Sequence, residues 1–388
     1  MESATWCEID DHALHANIEQ LKHRLGTDTL LGVVVKGDAY GHGLLDCARA
    51  FCAAGADWLV VHSHAEAVAL RNGGLQETIL VCGPTQPVEA GLAAKVSTHV
   101  VVYDAATVRA LGLAAAAKSV TIPVHVKIET GTNRQGLRPE DLCAFVQLVK
   151  STAGVFLQGA STHFADVEDD EDHDFARQQL AVLDGARQQL ATAGLSIPMW
   201  HAAASAAALL LPKSRLDLVR VGIAAYGLWP SGEIERLVAA SENPLELQPA
   251  LSWRARIAQV QKMSAGGSVG YGRTWYAGGA RRRIAVLPVG YHEGFPRSRS
   301  NQGHVLIRGL PAPVRGRVCM NLVMVEVTDI EAATGSALQA GEVATLLGAD
   351  GDANIMAAQF ADWSSTIHYE IISRIHPCVP RHRVAQSD

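Results

Sequence analysis

Between residues 30 and 221 the chain repeats one pattern: a short apolar run, then a stretch long enough for a helix. The first run is Val33, Val34 and Val35, a β-branched segment suited to a strand buried on both faces. The same kind of run returns at 58–61, 78–82, 99–103, 122–128, 155–160, 199–202 and 216–221. Between them, alanine- and leucine-rich segments such as 44–54, 65–72 and 175–193 have helical length. Eight strands alternating with helices predict a parallel (β/α)8 barrel of TIM type. A doubly wound sheet is the alternative. The barrel is preferred because the count is eight and no glycine fingerprint opens the first helix. A leading helix is expected over 10–25, where Leu14, Ile18, Leu21 and Leu25 share a face and Asp10 or Asp11 can cap.

Beyond residue 240 the pattern changes. Pro244 and Pro249 mark a boundary, after which β-branched or alternating runs recur at 255–260, 283–289, 304–307, 314–318, 322–327 and 342–347, punctuated by Gly and Pro. A chain of 388 residues exceeds the usual size of one core. The expected organisation is a barrel over 1–240 and a mostly β domain over 241–388. A net charge of −6 argues against nucleic acid as partner. Seven cysteines without a C-x-x-C pair suit reduced thiols. The start lacks a basic n-region and an apolar h-region, and the run 202–211 is too short to span a bilayer. The expectation is a cytoplasmic protein that does not engage a membrane. The acidic stretch 166–174 reads as a solvated loop, since it lacks ordered cation-ligand spacing.

Polar residues gather just after the apolar runs. Lys36 follows the first, Lys127 and Arg134 flank the fifth, His163 follows the sixth, Ser205 the seventh, and Arg220 with Gly222 ends the eighth. Barrel active sites are built on the C-terminal rim, and phosphate commonly sits in the loops after strands seven and eight. Ser205 and the amides of Gly222 and Ile223 are therefore candidate phosphate ligands. Lys36 is either a solvated strand-end residue or a desolvated amine of the kind used as a Schiff-base nucleophile. Tyr40 follows it among Gly37, Gly41 and Gly43, which let backbone approach a ligand closely.

The segment Gly32-Val-Val-Val-Lys36-Gly-Asp-Ala-Tyr40-Gly-His-Gly43 resembles the cofactor-lysine motif of the alanine racemases, two-domain barrel enzymes of fold type III that use pyridoxal 5′-phosphate. Val269-Gly-Tyr271-Gly-Arg-Thr-Trp275 resembles their second signature, which carries the catalytic tyrosine. Shorter likenesses run from near the N-terminus to Tyr369. The resemblance implies that Lys36 holds the cofactor and serves one face of the substrate, while Tyr271 serves the other from the partner subunit of a head-to-tail homodimer. It implies phosphate ligands at Tyr40, Ser205, Gly222, Ile223 and Tyr369, Arg220 at the pyridine nitrogen, and His163 beside the ring. Arg134 would assist at the phenolic oxygen and substrate carboxylate, with Lys127 supporting it as a carbamate. Met320 and Tyr291 would lie on the substrate side, again from the partner. The implied reaction interconverts L- and D-alanine by two bases, supplying D-alanine for peptidoglycan.

Departures from the family pattern cluster near the substrate: Asn321 stands for aspartate, Ala204 for asparagine, Gly37 for alanine, His292-Glu293 for Ala-Asp, and 132–135 differs around Arg134. A racemase for serine, lysine or several amino acids is the alternative substrate class. A non-enzymatic pyridoxal-phosphate barrel would share the lysine motif but lack the β domain and the Tyr271 motif. A metal-dependent barrel hydrolase would draw on His62, His64, His163 and His201, but no H-E-x-x-H or comparable set is present. No metal is expected.

Overall fold

A computed structural model describes residues 3–168 and 172–384 of the chain. Residues 169–171 of the acidic stretch expected as a solvated loop lie outside the described residues. Two compact units emerge, and they do not follow chain order. One comprises Ala13–Ala39 and Leu44–Gln248; the other comprises Met1–His12, Tyr40–Gly43 and Pro249–Asp388.

The first unit is an eight-stranded parallel barrel. Its strands are Leu30–Val34, Trp58–Val61, Thr78–Val81, His99–Val102, Ile122–Lys127, Val155–Ser161, Met199–His201 and Leu218–Val221. Each pairs with the next as far as the seventh, and the first pairs with the last in the register Leu31↔Val219. The seventh and eighth meet outside a regular ladder: Asp217 N–H donates to the Trp200 carbonyl at 3.0 Å, and Arg220 N–H to that of Ala203 at 2.9 Å. Helices cover the outside, so the strands face apolar groups on both sides; Val33, Leu59, Val100, Val124 and Val219 are fully buried. The expected leading helix is Asp11–Leu25, and it buries Leu14, Ile18, Leu21 and Leu25. Gly32 is where the first strand is tightest. A Cβ there would lie 3.1 Å from the Val219 carbonyl and 3.2 Å from Leu218 and Val60 side-chain carbons.

The second unit is mostly β. A seven-stranded sheet runs in the order Leu310–Pro313, His304–Ile307, Val343–Asp350, Leu251–Arg256, Thr5–Asp10 and Arg381–Val384, with Ala353–Ile355 added beside Val343–Asp350. A three-stranded sheet holds Gln259–Met263, Arg282–Leu287 and Val323–Glu326, and a short hairpin pairs Ser268–Val269 with Trp275–Tyr276. Two expectations are corrected. The run 255–260 splits between two sheets around Ile257 and Ala258. The run 314–318 is not a strand: Val314 makes a single bridge to Val325. The chain then turns at Gly316, whose φ of +78° and close approach to the Val269 carbonyl exclude a side chain. Trp253, Phe295 and Phe360 fill the core beside the buried Arg299, whose guanidinium lies 4.2 Å from the Phe360 ring centroid. Among the described residues no helix is long and apolar enough to cross a membrane.

Candidate active site

Lys36 stands directly after the first barrel strand, at the start of an unusual turn. Gly37, Asp38, Ala39 and Tyr40 all have φ between +53° and +63°. For the three that carry a Cβ this left-handed geometry costs about 1–2 kcal/mol each. The surroundings hold it in place. Asp38 Oδ1 accepts from Leu44 N–H at 2.8 Å, and Glu66 Oε1 accepts from Gly37 N–H at 2.7 Å. Glu66 also closes a capping box with Ser63 at the start of helix His64–Asn72. A single carboxylate thus fixes both a helix end and the backbone beside Lys36. The Ser63-x-x-Glu66 pattern was readable in the sequence as a helix start, though not as a support for the lysine.

His163 lies among cations. Burial first, then Arg220, Lys127, Arg134 and Lys36, hold its pKa well below the ordinary 6.5, so the imidazole is neutral. Burial, followed by Arg220 and Arg134, likewise drives the Lys127 pKa well below the usual lysine value. Arg134 is carried on a loop that returns to the fifth strand. Leu137 N–H donates to the Lys127 carbonyl and Glu129 N–H to that of Leu137, each at 2.8 Å. Glu129 accepts from the Gly131 and Arg134 amides at 2.6 and 3.3 Å. Burial raises its pKa, but the loop amides outweigh that and leave it lowered. Glu129, the carboxylate that acts on Lys127, therefore spends itself on the loop. Lys36, Lys127, Arg134, Arg220 and neutral His163 are drawn to one rim, as expected from the sequence.

Arg220 is buried at the end of the eighth strand. Its Nη2 donates to the carbonyls of Thr162 and Ala202 at 2.8 and 2.9 Å, and its Nη1 donates to His201 Nδ1 at 2.6 Å. The contact continues into the barrel: His201 Nε2 is 2.9 Å from His125 Nδ1, and His125 Nε2 is 3.0 Å from His99 Nδ1. A guanidinium can only donate, so His201 Nδ1 must accept and carry its proton on Nε2. That proton is donated to His125 Nδ1, which repeats the logic, and His99 ends as the same tautomer. Arg220 thus sets the polarity of a three-imidazole chain. Burial is the leading cause that keeps all three neutral, taking His99 down to about 4. Trp58 packs edge-on against the His99 and His125 rings. Room for His125 comes from Gly159, where a Cβ would fall 2.4 Å from His125 Nδ1.

Ser205 opens the short helix Ser205–Leu210, and its Oγ accepts from the amides of Gly222 and Ala224 at 3.1 and 3.4 Å. The predicted phosphate residues of strands seven and eight therefore sit together. In the other unit, the Tyr40 and Tyr369 rings come within 6.3 Å, centroid to centroid. Gly41 has a reason different from the one expected. A Cβ there would fall 2.0 Å from the Ile372 carbonyl oxygen, so it is protein backbone that approaches, at a φ of +82°. Tyr271, on a short turn between the hairpin strands, is 72% exposed; Met320 is 55% and Tyr291 44% exposed. Tyr291 N–H donates to the Cys319 carbonyl at 3.1 Å and His292 N–H to that of Met320 at 2.9 Å, so Tyr291 and Met320 occupy neighbouring segments. Two departures from the family pattern prove to be one feature: Asn321 Nδ2 donates to Glu293 Oε1 at 2.6 Å.

The histidines of the hydrolase alternative do not converge. His64 bonds Thr85, His201 is committed to His125 and Arg220, and the three-donor gathering among the described residues lies elsewhere, at His292, His376 and Cys378.

Comparison with known proteins bears on both units. Residues 9–230 match the family model for the alanine racemase N-terminal domain, and residues 250–383 that for its C-terminal domain. An alanine racemase of Halothermothrix orenii is 38% identical over 97% of this chain and 96% of its own. Among solved structures, alanine racemase from Bacillus anthracis with bound L-Ala-P superposes with a TM-score of 0.92 at 31% identity, covering 100% of this chain and 97% of that one. A histidine racemase from Leuconostoc mesenteroides superposes at 0.87 with 26% identity, covering 99% of each chain.

Proposed function

The chain belongs to the alanine racemase family, and from that membership we propose a pyridoxal 5′-phosphate-dependent racemase that interconverts L- and D-alanine and supplies D-alanine for peptidoglycan. The observation that carries the cofactor is electrostatic. Lys36, Lys127, Arg134 and Arg220 act on one neutral imidazole, and Glu129, the carboxylate acting on Lys127, is consumed by its own loop. A site that gathers four basic side chains, Lys127 and Arg220 among them buried, fits an anion such as a phosphate ester with a phenolate and a carboxylate.

When bound, pyridoxal phosphate acidifies the α C–H of an attached amino acid. Lys36 holds the cofactor and moves the proton on one face; the Tyr271 phenol moves it on the other. Arg220 would face the ring nitrogen, and a guanidinium, which donates and keeps its protons, would not protonate it. His163, uncharged, would lie beside the ring. Ser205, Gly222, Ile223, Tyr40 and Tyr369 are proposed as phosphate ligands. Arg134 orients the substrate carboxylate, with Lys127, buried and lowered in pKa so that its amine is more readily carbamylated, supporting it. Tyr291 and Met320 shape the substrate side. The enzyme acts as a head-to-tail homodimer, which the exposure of Tyr271, Tyr291 and Met320 supports. A cytosolic location is supported by seven free cysteines.

A second reading, racemisation of another or broader set of amino acids, has one observation in its favour: the Asn321–Glu293 pair beside Met320. The test is a yellow holoenzyme whose borohydride-fixed label maps to Lys36, assayed for chiral inversion on a panel of amino acids. Alanine turned over fastest supports the first reading, and serine, lysine or histidine outpacing it supports the second. A colourless protein that cannot be reconstituted removes both.

A further inference from the structure

His292, His376 and Cys378 have no part in the proposed racemase reaction, yet each brings one donor atom within 4.8 Å of the other two. The two imidazole rings lie 4.8 Å apart, inclined by 34°. All three side chains are exposed, and the histidines line a cleft of 820 Å³ together with Tyr291, Arg297 and Glu370. We propose that these three residues bind a thiophilic divalent cation of the zinc type, with the cleft side left open for water or a small ligand.

The donors are held together by pinned backbone rather than by chance rotamers. His376 N–H donates to the Glu293 carbonyl at 3.1 Å, joining the two loops that carry the ligands. Arg381 donates from Nη1 to the His376 carbonyl and from Nη2 to that of Ile375, each at 2.8 Å. Glu293 in turn accepts from Gly290 N–H at 2.8 Å. Gly294 closes the joint: at a φ of +105°, a Cβ would stand 2.5 Å from the Arg374 carbonyl oxygen. Cys378 N–H donates to His376 Nδ1 at 3.1 Å, so that ring's lone pair already faces the cysteine. An ion on Cys378 Sγ takes that lone pair in place of the amide, and the thiol gives up its proton to solvent.

One thiolate and two imidazoles select zinc-like ions over magnesium or calcium, which take oxygen. Tetrahedral zinc bonds of about 2.1 Å to nitrogen and 2.3 Å to sulfur require the donors to close in by roughly 1 Å, which exposed side chains permit. The site also has a mechanical link. His292 follows Tyr291, and the two amides hold the Cys319 and Met320 carbonyls. A cation that fixes His292 therefore restrains the segment bearing Tyr291 and Met320. This coupling, unlike the binding itself, rests on their proposed substrate role.

Cobalt(II) titrated into reduced holoenzyme tests the site. The expected result is one equivalent per chain with a thiolate-to-metal absorption band, bleached by zinc. Cys378→Ser abolishes the band, and His292→Ala weakens binding by at least about tenfold. No band, or a band that survives in Cys378→Ser, overturns the proposal. Zinc is expected to raise KM for the amino acid in the parent enzyme and not in Cys378→Ser, whose metal-free activity matches the parent. Equal KM values with and without zinc refute the coupling, whereas loss of racemase activity on all amino acids in metal-free parent enzyme points to the functional reading instead.

Discussion

Arg220 imposes a direction on three histidines, and that direction is measurable. Nitrogen NMR of histidine-labelled protein should show His99, His125 and His201 all neutral with the proton on Nε2; one Nδ1–H tautomer in the series breaks the chain as described. The same burial creates a pH dependence of stability. His99, His125, His163 and His201 have folded pKa values below 6.5, so the unfolded chain takes up their protons first. Their contribution is fully present above about pH 6.5 and is lost as pH falls toward the folded values, about 4 for His99. Each costs about 1.4 kcal/mol per pH unit across that window. Urea unfolding at pH 7 and pH 5.5 should therefore differ steeply, and a flat profile would contradict the buried neutral state. None of this chain was legible in the sequence, because His99, His125 and His201 sit in three separate apolar runs. Their contact depends on strand register and on the missing side chain of Gly159. Lys36, Arg134, His163, Ser205 and Arg220 were legible as a group because position after a barrel strand is itself a signal.

At the level of single elements, the left-handed turn after Lys36 is the most demanding piece of backbone in the chain. Removing one support should release it. Glu66→Ala strips acceptors from Gly37 N–H and from the Ser63 cap, and the cap alone is worth about 1 kcal/mol. The variant is expected to lower the melting temperature and to weaken cofactor retention; unchanged values on both would separate Glu66 from the lysine turn. Gly41→Ala is harsher, since the new methyl collides with the Ile372 carbonyl and the φ disfavours it. It should cost well over about 1 kcal/mol, read as a shifted unfolding midpoint. The barrel strands were readable because parallel strands buried on both faces keep their apolar run whatever the local propensity. The strand Thr5–Asp10 was overlooked, although Thr5, Cys7 and Ile9 alternate inward in the manner of a half-buried strand. Val314–Val318 was overread, because a β-branched run says nothing of the turn Gly316 forces on it.

For the whole molecule, the proposal of shared sites makes a quantitative claim. Lys36→Ala and Tyr271→Phe should each be nearly inactive, with Tyr271→Phe down by about 10²–10⁴-fold. If Tyr271 serves the partner's lysine, mixing and re-forming the two dead variants yields heterodimers in which one site is intact and the other doubly damaged. Activity should then reappear, and a mixture as dead as its parts shows that each chain completes its own site. If the sites are shared, activity of the parent enzyme should also fall on dilution in step with dissociation to monomers, as monitored by sedimentation.

The strand Thr5–Asp10 also bears on how the chain is made. It pairs with Leu251–Arg256 on one side and runs parallel to Arg381–Val384 on the other, Cys7 facing Arg381. The strand precedes the barrel in the sequence, and both of its neighbours follow the barrel. Throughout synthesis its two edges are open while the barrel between can already close. Parallel pairing seats Cys7 beside Arg381 and Asp10 beside Val384, so one sheet is closed by segments more than 370 residues apart in the sequence.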